Sequence, residues 1–231
     1  MRLFCSLLAL LACTSCATKQ TPVDVIWSAK YVVTMDAKRS VIEDGAVAVR
    51  NDRIVAAGPT ADIEATYSAQ KRVASPNAIL TPGLINTHAH AAMSLFRGIA
   101  DDKKLQDWLQ NFIFPAEAKN VDREFVRWGT LLGTSEMALS GTTTYTDMYY
   151  FEETVAEATK QVGLRGVLGQ TIIGFPAPDY KSIPAALDGT EKFLKAYDND
   201  PLIVPAPAPH AIYTNTDDTL KSARALADKY H

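Results

Sequence analysis

The chain has 231 residues, 47% of them hydrophobic and 21% charged, which supplies enough apolar material for one or two folded domains and excludes a disordered segment. A formal net charge of −3, with no cluster of lysine and arginine, argues against a nucleic-acid surface and for a small-molecule substrate. The three cysteines, Cys5, Cys13 and Cys16, all lie near the N-terminus, so the rest of the chain has neither a disulfide framework nor a cysteine metal site.

Residues 1–16 read as an export signal. Arg2 gives a short positive start, and Leu3 to Ala12 an apolar stretch too short to span a bilayer as a mature helix. Leu10-Leu11-Ala12-Cys13 resembles a bacterial lipobox, which makes Cys13 the expected lipidation site and Cys16 the second choice; an ordinary secretory signal is the alternative. On the lipid reading, residues 17–22 form a tether. The protein is then exported and anchored to a membrane of the bacterial cell envelope, facing the periplasm in a Gram-negative cell.

From 23 to 80, short apolar stretches separated by turns predict a small β domain, with a hairpin turn at Arg50-Asn51-Asp52-Arg53. Beyond that the rhythm becomes strand then helix. Strands are expected over 79–87, 142–148, 165–173 and 202–208, and helices over 105–112, 122–140, 152–162, 183–197 and 216–230. Asp122 as N-cap and Gly141 just past the end make the second helix the best marked. Such alternation implies βαβ units and a parallel sheet, here four units where a complete (β/α)8 barrel has eight.

The segment TPGLINTHAH, Thr81 to His90, sets two histidines two apart at the end of an apolar run. On a strand, residues i and i+2 face the same side, so His88 and His90 can aim both imidazoles at one point and share a metal. Chance surface or core histidines are the alternative for so short a spacing.

With Pro82, Gly83, Leu84 and Ile85 before it, this segment resembles the first barrel strand of the amidohydrolase superfamily of metal-dependent hydrolases. The resemblance continues through SLFRGIADDKKLQDWL (Ser94 to Leu109), GTTTYTDMY (Gly141 to Tyr149) and PAPAPHAIYT (Pro205 to Thr214). In that order the segments look like the branch of 5-methylthioadenosine/S-adenosylhomocysteine deaminases and triazine- and chlorohydrolase-type enzymes, from about Val23 to the last residue. The resemblance implies an α/β fold: the N-terminal half of a TIM-like (β/α)8 barrel over 81–231, preceded by part of a β-sandwich over 23–80. A half barrel has two open sheet edges, for which a truncated sequence is the expected reason.

The resemblance also implies zinc, with iron or manganese as substitutes, held by His88 and His90. It implies hydrolytic deamination of an amino-substituted heteroaromatic ring, adenosine-like or triazine-like, by metal-activated water. The further ligands and the general acid and base are expected after residue 231, so no catalytic residue is assigned within the chain and its activity alone stays open. Cyclic amide or carbon–halogen hydrolysis is the alternative reaction. A lipid-anchored, non-catalytic half-barrel binding module is the alternative of another class, and the full-length form is expected to be a homo-oligomer.

Glu117, in FPAEAK, and His210, at the end of the fourth strand, are by resemblance substrate-binding. Glu117 would offer two acceptors to a sugar diol or a ring edge, and His210 would contact the substrate. The alternatives are a solvated glutamate before a helix and a structural histidine bonded to Thr214 or Thr216. Phe96, Trp108 and Phe112 are lid candidates or plain core, and Asp147 is expected to be structural. Gln170 stands near where thioadenosine-type deaminases are expected to carry an arginine, with Lys181 as a longer-reach substitute.

Overall fold

A computed structural model describes residues 19–230; the expected export signal with Cys13 and Cys16, and the terminal His231, lie outside them. The chain divides between Pro82 and Gly83 into two compact units.

The first unit holds β1 (Thr21–Val33), β2 (Val41–Arg50), β3 (Arg53–Pro59), α1 (Thr60–Thr66) and β4 (Tyr67–Leu80). They form one sheet in the order β3-β2-β1-β4, with β1 antiparallel to β2 and parallel to β4. The expected hairpin turn lies at Asn51 and Asp52, where Asn51 takes a left-handed φ of 55° that asparagine tolerates. Val23, Ile26, Ala46, Ala48 and Ile63 form the core, so α1 covers the sheet through a single buried side chain, Ile63. One apolar contact in seven residues gives no helical period, which is why α1 was not legible. Two boundaries also differ from expectation. Thr21 and Pro22 belong to β1 rather than to a tether, and the strand expected over 79–87 is two strands broken at Thr81-Pro82-Gly83. Among the described residues this unit is a single sheet with a helix rather than two packed sheets.

The second unit is a parallel sheet in chain order, β5 (Leu84–Ala89), β6 (Thr142–Tyr149), β7 (Arg165–Ile172) and β8 (Ile203–Pro209). Between strands run α2 (Leu105–Trp108), α3 (Phe114–Asn120), α4 (Arg123–Leu139), α5 (Glu152–Val162) and α6 (Ile183–Ala196), and α7 (Asp217–Tyr230) lies after β8. The helix expected over 105–112 continues to Asn120 through a π turn at Leu109–Ile113. Pro115 has no N–H to give to the preceding turn, and the wider turn accommodates that loss. Tyr145 of β6, Leu168 of β7 and Ile203 of β8 pack with Val126, Val155 and Phe193 from the helices in the main core.

The surroundings of the histidine pair are set by two features of this unit. The first is the close crossing of α4 over the 3₁₀ segment Ala91–Phe96, which begins directly after His90. Asp122 caps α4 by accepting from the Phe125 N–H at 2.8 Å. Gly129 and Gly133 then face the segment so closely that a Cβ at 129 would lie 2.2 Å from the Ala92 carbonyl oxygen. The second is the proline pattern of β8. Leu202 accepts from Gly166, and His210 donates to Ile172, so even-numbered residues turn their backbone groups to β7. Pro205, Pro207 and Pro209 have the opposite parity, which points their donorless nitrogens away from the sheet.

Gly129→Ala should destabilise the protein by about 1–3 kcal/mol, because the obstruction is backbone on both sides and no rotamer relieves it. Urea denaturation followed by circular dichroism measures the loss.

Candidate active site

The histidine pair sits on a local irregularity of β5. Asn86 pairs with Tyr145 and Ala89 with Asp147, so β5 advances three residues where β6 advances two. This extra residue is a bulge, the device that re-aims side chains beside active sites. The Asn86 side-chain oxygen accepts from the His88 N–H at 3.2 Å and holds the bulged backbone from within.

His88 Nε2 and His90 Nε2 lie 3.3 Å apart. Two nitrogens each about 2.0–2.1 Å from one ion, at a tetrahedral angle, are separated by about 3.3 Å, so the pair fits two ligands of a zinc-like centre. The His90 Nδ1–H donates to the Met148 carbonyl oxygen at 2.7 Å. A carbonyl only accepts, so that bond places the proton on Nδ1 and leaves the Nε2 lone pair free for a metal. Burial lowers the His90 pKa, against the opposing effect of the Met148 bond, and keeps the ring in the neutral form a metal requires. Among the described residues, no cluster of three or more His, Cys, Asp or Glu side chains is placed to hold an ion.

His90, Glu117 and His210 line one pocket, together with Met93, Trp108, Leu109, Ile113, Phe114, Met148, Tyr149, Tyr150 and Thr171. Glu117 lies in the first turn of α3 and is 5% exposed. Tyr149 donates its hydroxyl to Oε1 at 2.9 Å and Tyr150 to Oε2 at 3.4 Å. Burial outweighs these two bonds and pushes the carboxyl up to about 7. Glu117 is therefore not a solvated residue ahead of a helix. His210 is held structurally, with Nδ1 3.1 Å from Thr214 Oγ1, and its ring lines the same pocket. Thr171 adds a buried hydroxyl with no hydrogen-bond partner among the described residues.

Several other side chains fall elsewhere than the sequence implied. Phe96 is core, tilted against Phe125 at 4.7 Å between ring centroids, and Phe112 lies beneath Lys103. Of the three lid candidates only Trp108 lines the pocket, and Leu109, Ile113 and Phe114 line it beside that ring. Lys181 spends its ammonium on the Ala177 and Pro178 carbonyls, at 2.6 and 3.3 Å, so it does not stand in for an arginine in the pocket. Gln170 is fully buried and donates to Asp179 at 2.8 Å. Tyr149 and Tyr150 were missed, although an aromatic doublet at the end of a parallel strand was a usable signal for a pocket wall.

Around the end of β6, three carboxyls accept backbone amides, with Asp147 and Glu152 buried and Asp179 half-buried. Glu152 accepts from the Tyr149 N–H at 2.6 Å, and Asp179 accepts from the Phe151 N–H at 3.0 Å. Asp147 accepts from the Ala91 N–H at 2.7 Å through Oδ1, and its Oδ2 has no partner among the described residues. Burial raises the pKa of all three carboxyls.

A parallel β/α sheet with a bulged imidazole pair at the C-terminal end of its first strand, the second imidazole lining a pocket built from the other strand ends, has the arrangement of β/α-barrel enzymes, which place their sites at that face. The family model described as "Amidohydrolase family" matches residues 79–231, and one described as "Imidazolonepropionase-like composite domain, bacteria" matches 45–67. The chain belongs to the amidohydrolase family.

Its relatives include the 5-methylthioadenosine/S-adenosylhomocysteine deaminase 1 of Syntrophus aciditrophicus, 44% identical over 90% of this chain and 47% of that protein. The 5-methylthioadenosine/S-adenosylhomocysteine deaminase of Thermodesulfovibrio yellowstonii is 46% identical over 87% of this chain and 46% of its own length. Among solved structures, an adenosine deaminase from Xanthomonas campestris with bound Zn superposes with a TM-score of 0.89 at 40% identity, covering 92% of this chain and 48% of that one. An atrazine chlorohydrolase from Arthrobacter aurescens TC1, complexed with zinc, gives a TM-score of 0.77 at 18% identity over 89% of this chain and 51% of that one, and shares the fold. The chain spans about half the length of the curated relatives it matches.

The raised Glu117 pKa has a stability signature. The unfolded chain releases this proton near 4.5 and the folded one near 7, so folding stability falls as pH rises between those values. Relative to Glu117→Gln, the wild type should lose on the order of 1–3 kcal/mol across that window and then level off. Denaturant unfolding at a series of pH values measures the difference.

Proposed function

We propose that the chain forms the metal-binding strand and one wall of the substrate pocket of a hydrolase that deaminates an amino-substituted heteroaromatic ring, adenosine-like in preference to triazine-like. The observation that carries this reading is the 3.3 Å Nε2 separation of His88 and His90, with His90 Nδ1 already committed to Met148. The deaminase names of the relatives and the bound Zn of the Xanthomonas campestris structure support the reaction and favour zinc.

His88 and His90 would hold the ion. When bound, it supplies a Lewis acid that makes water a nucleophile near neutral pH. Trp108, Ile113 and Phe114 offer an apolar, largely aromatic surface for a planar ring. Glu117 accepts hydrogen bonds from a diol or ring N–H of the substrate, with Tyr149 and Tyr150 fixing its two oxygens. His210, held through Nδ1 to Thr214, presents its ring to the same pocket and binds a polar substituent. For location, the lipobox-like Leu10 to Cys13 supports a lipid-anchored protein of the bacterial envelope.

The test is metal content followed by product analysis. The wild-type protein should retain zinc through purification and release ammonia from an adenosine-like substrate, whereas His88→Ala should lose the metal. Unchanged metal content in His88→Ala would overturn the assignment, and chloride or a ring-opened amide in place of ammonia would replace the deaminase reading.

A further inference from the structure

The end of β6 touches the segment after the histidine pair at two consecutive residues. Met148 receives the His90 Nδ1–H through its backbone carbonyl, at 2.7 Å. Asp147, one residue earlier, receives the Ala91 backbone N–H through its side chain, also at 2.7 Å. Ala91 is 3% exposed and Asp147 2%, so water does not replace either partner. The Ala91 amide opens the 3₁₀ segment, where a first-turn N–H has no backbone acceptor of its own. A parallel ladder does not reach this amide, because β5 ends at Ala89 and its pairing stops at Asp147.

We propose that Asp147 is a positioning residue for the imidazole pair: by clamping the Ala91 amide it ends the β5 bulge in one geometry and keeps the His90 ring on the Met148 carbonyl. This rests on His88 and His90 being metal ligands. Asp147 does not line the pocket and acts through the turn it grips. The bulge makes such a clamp necessary. An extra residue in β5 releases the strand from regular pairing just before His90, and without a second anchor the ring can rotate away from Met148 and lose its tautomer. Asn86 holds the entry to the bulge through His88, and Asp147 holds its exit through Ala91.

Asp147→Asn keeps an acceptor oxygen for Ala91, whereas Asp147→Ala removes it, so the pair separates the hydrogen bond from the carboxylate charge. Val155→Ala, a core change on α5 that makes none of these bonds, controls for general destabilisation. Two measurements on the full chain decide the matter. Nitrogen-15 NMR of the histidine rings should show His90 protonated on Nδ1 in the wild type, Val155→Ala and Asp147→Asn, and a mixture of tautomers in Asp147→Ala. Zinc affinity, by competition with a chromophoric chelator, should fall by about 10- to 100-fold in Asp147→Ala and recover in Asp147→Asn.

An unchanged His90 tautomer in Asp147→Ala would overturn the proposal, as would a loss of tautomer equally large in Val155→Ala. Should the wild type bind no zinc, the metal reading fails while the tautomer measurement still decides the clamp.

Discussion

The bond from His90 Nδ1 to the Met148 carbonyl is the contact on which the candidate site depends. A neutral imidazole has two tautomers, and only the one protonated on Nδ1 turns its Nε2 lone pair toward His88. Such a bond is worth about 0.5–1.5 kcal/mol net, too little to hold a mobile ring by itself. Its orienting power comes from the surroundings. The carbonyl is fixed by β6–β7 pairing, the ring is mostly buried, and the chain after it is pressed against α4 where Gly129 allows backbone to meet backbone. On the proposed role of the pair, the site draws on packing elsewhere in the second unit, because an ion that finds both lone pairs already convergent would spend little of its binding energy on ordering them.

The acids around the end of β6 obey the same logic at higher cost. A carboxyl taken wholly or partly out of water is tolerated where it satisfies a backbone group, and the buried Asp147 and Glu152 and the half-buried Asp179 each accept an amide at or near a strand end. Asp179 does so for Phe151, whose left-handed φ of 54° is unfavourable for a residue with a Cβ. These turns carry Tyr149 and Tyr150 into the pocket and so fix where Glu117 finds its donors.

Much of the architecture could be read from the chain because its signals are periodic or end at marked residues. Asp122 and Gly141 bracket α4, β7 and β8 are largely apolar runs between helices, and β6 is rich in threonine and tyrosine, which favour strands, so their positions needed no tertiary information. The H-x-H spacing predicted convergent imidazoles by strand alternation, yet the pair sits on a bulge that is held by one local bond, Asn86 to His88, and by β6 contacts 56 and 58 positions away that the sequence does not display. Glu117 and His210 were named by resemblance, while the burial that raises the Glu117 pKa, and the two tyrosine hydroxyls 32 and 33 positions further on that oppose it, are products of tertiary packing. The π turn at Leu109–Ile113 was invisible because helical periodicity assumes 3.6 residues per turn. The first unit was less legible for a related reason: the parallel pairing of β1 with β4 joins strands separated by a hairpin and a helix.

The alternating prolines of β8 make its outer border chemically one-sided. Carbonyls 205, 207 and 209 project from it as acceptors, and the three nitrogens beside them have no hydrogen to donate. A strand lying along this border can give hydrogen bonds there but receive none from these residues. A strand that pairs along β8 on this side therefore has to present N–H groups opposite 205, 207 and 209, which fixes its register as well as its place.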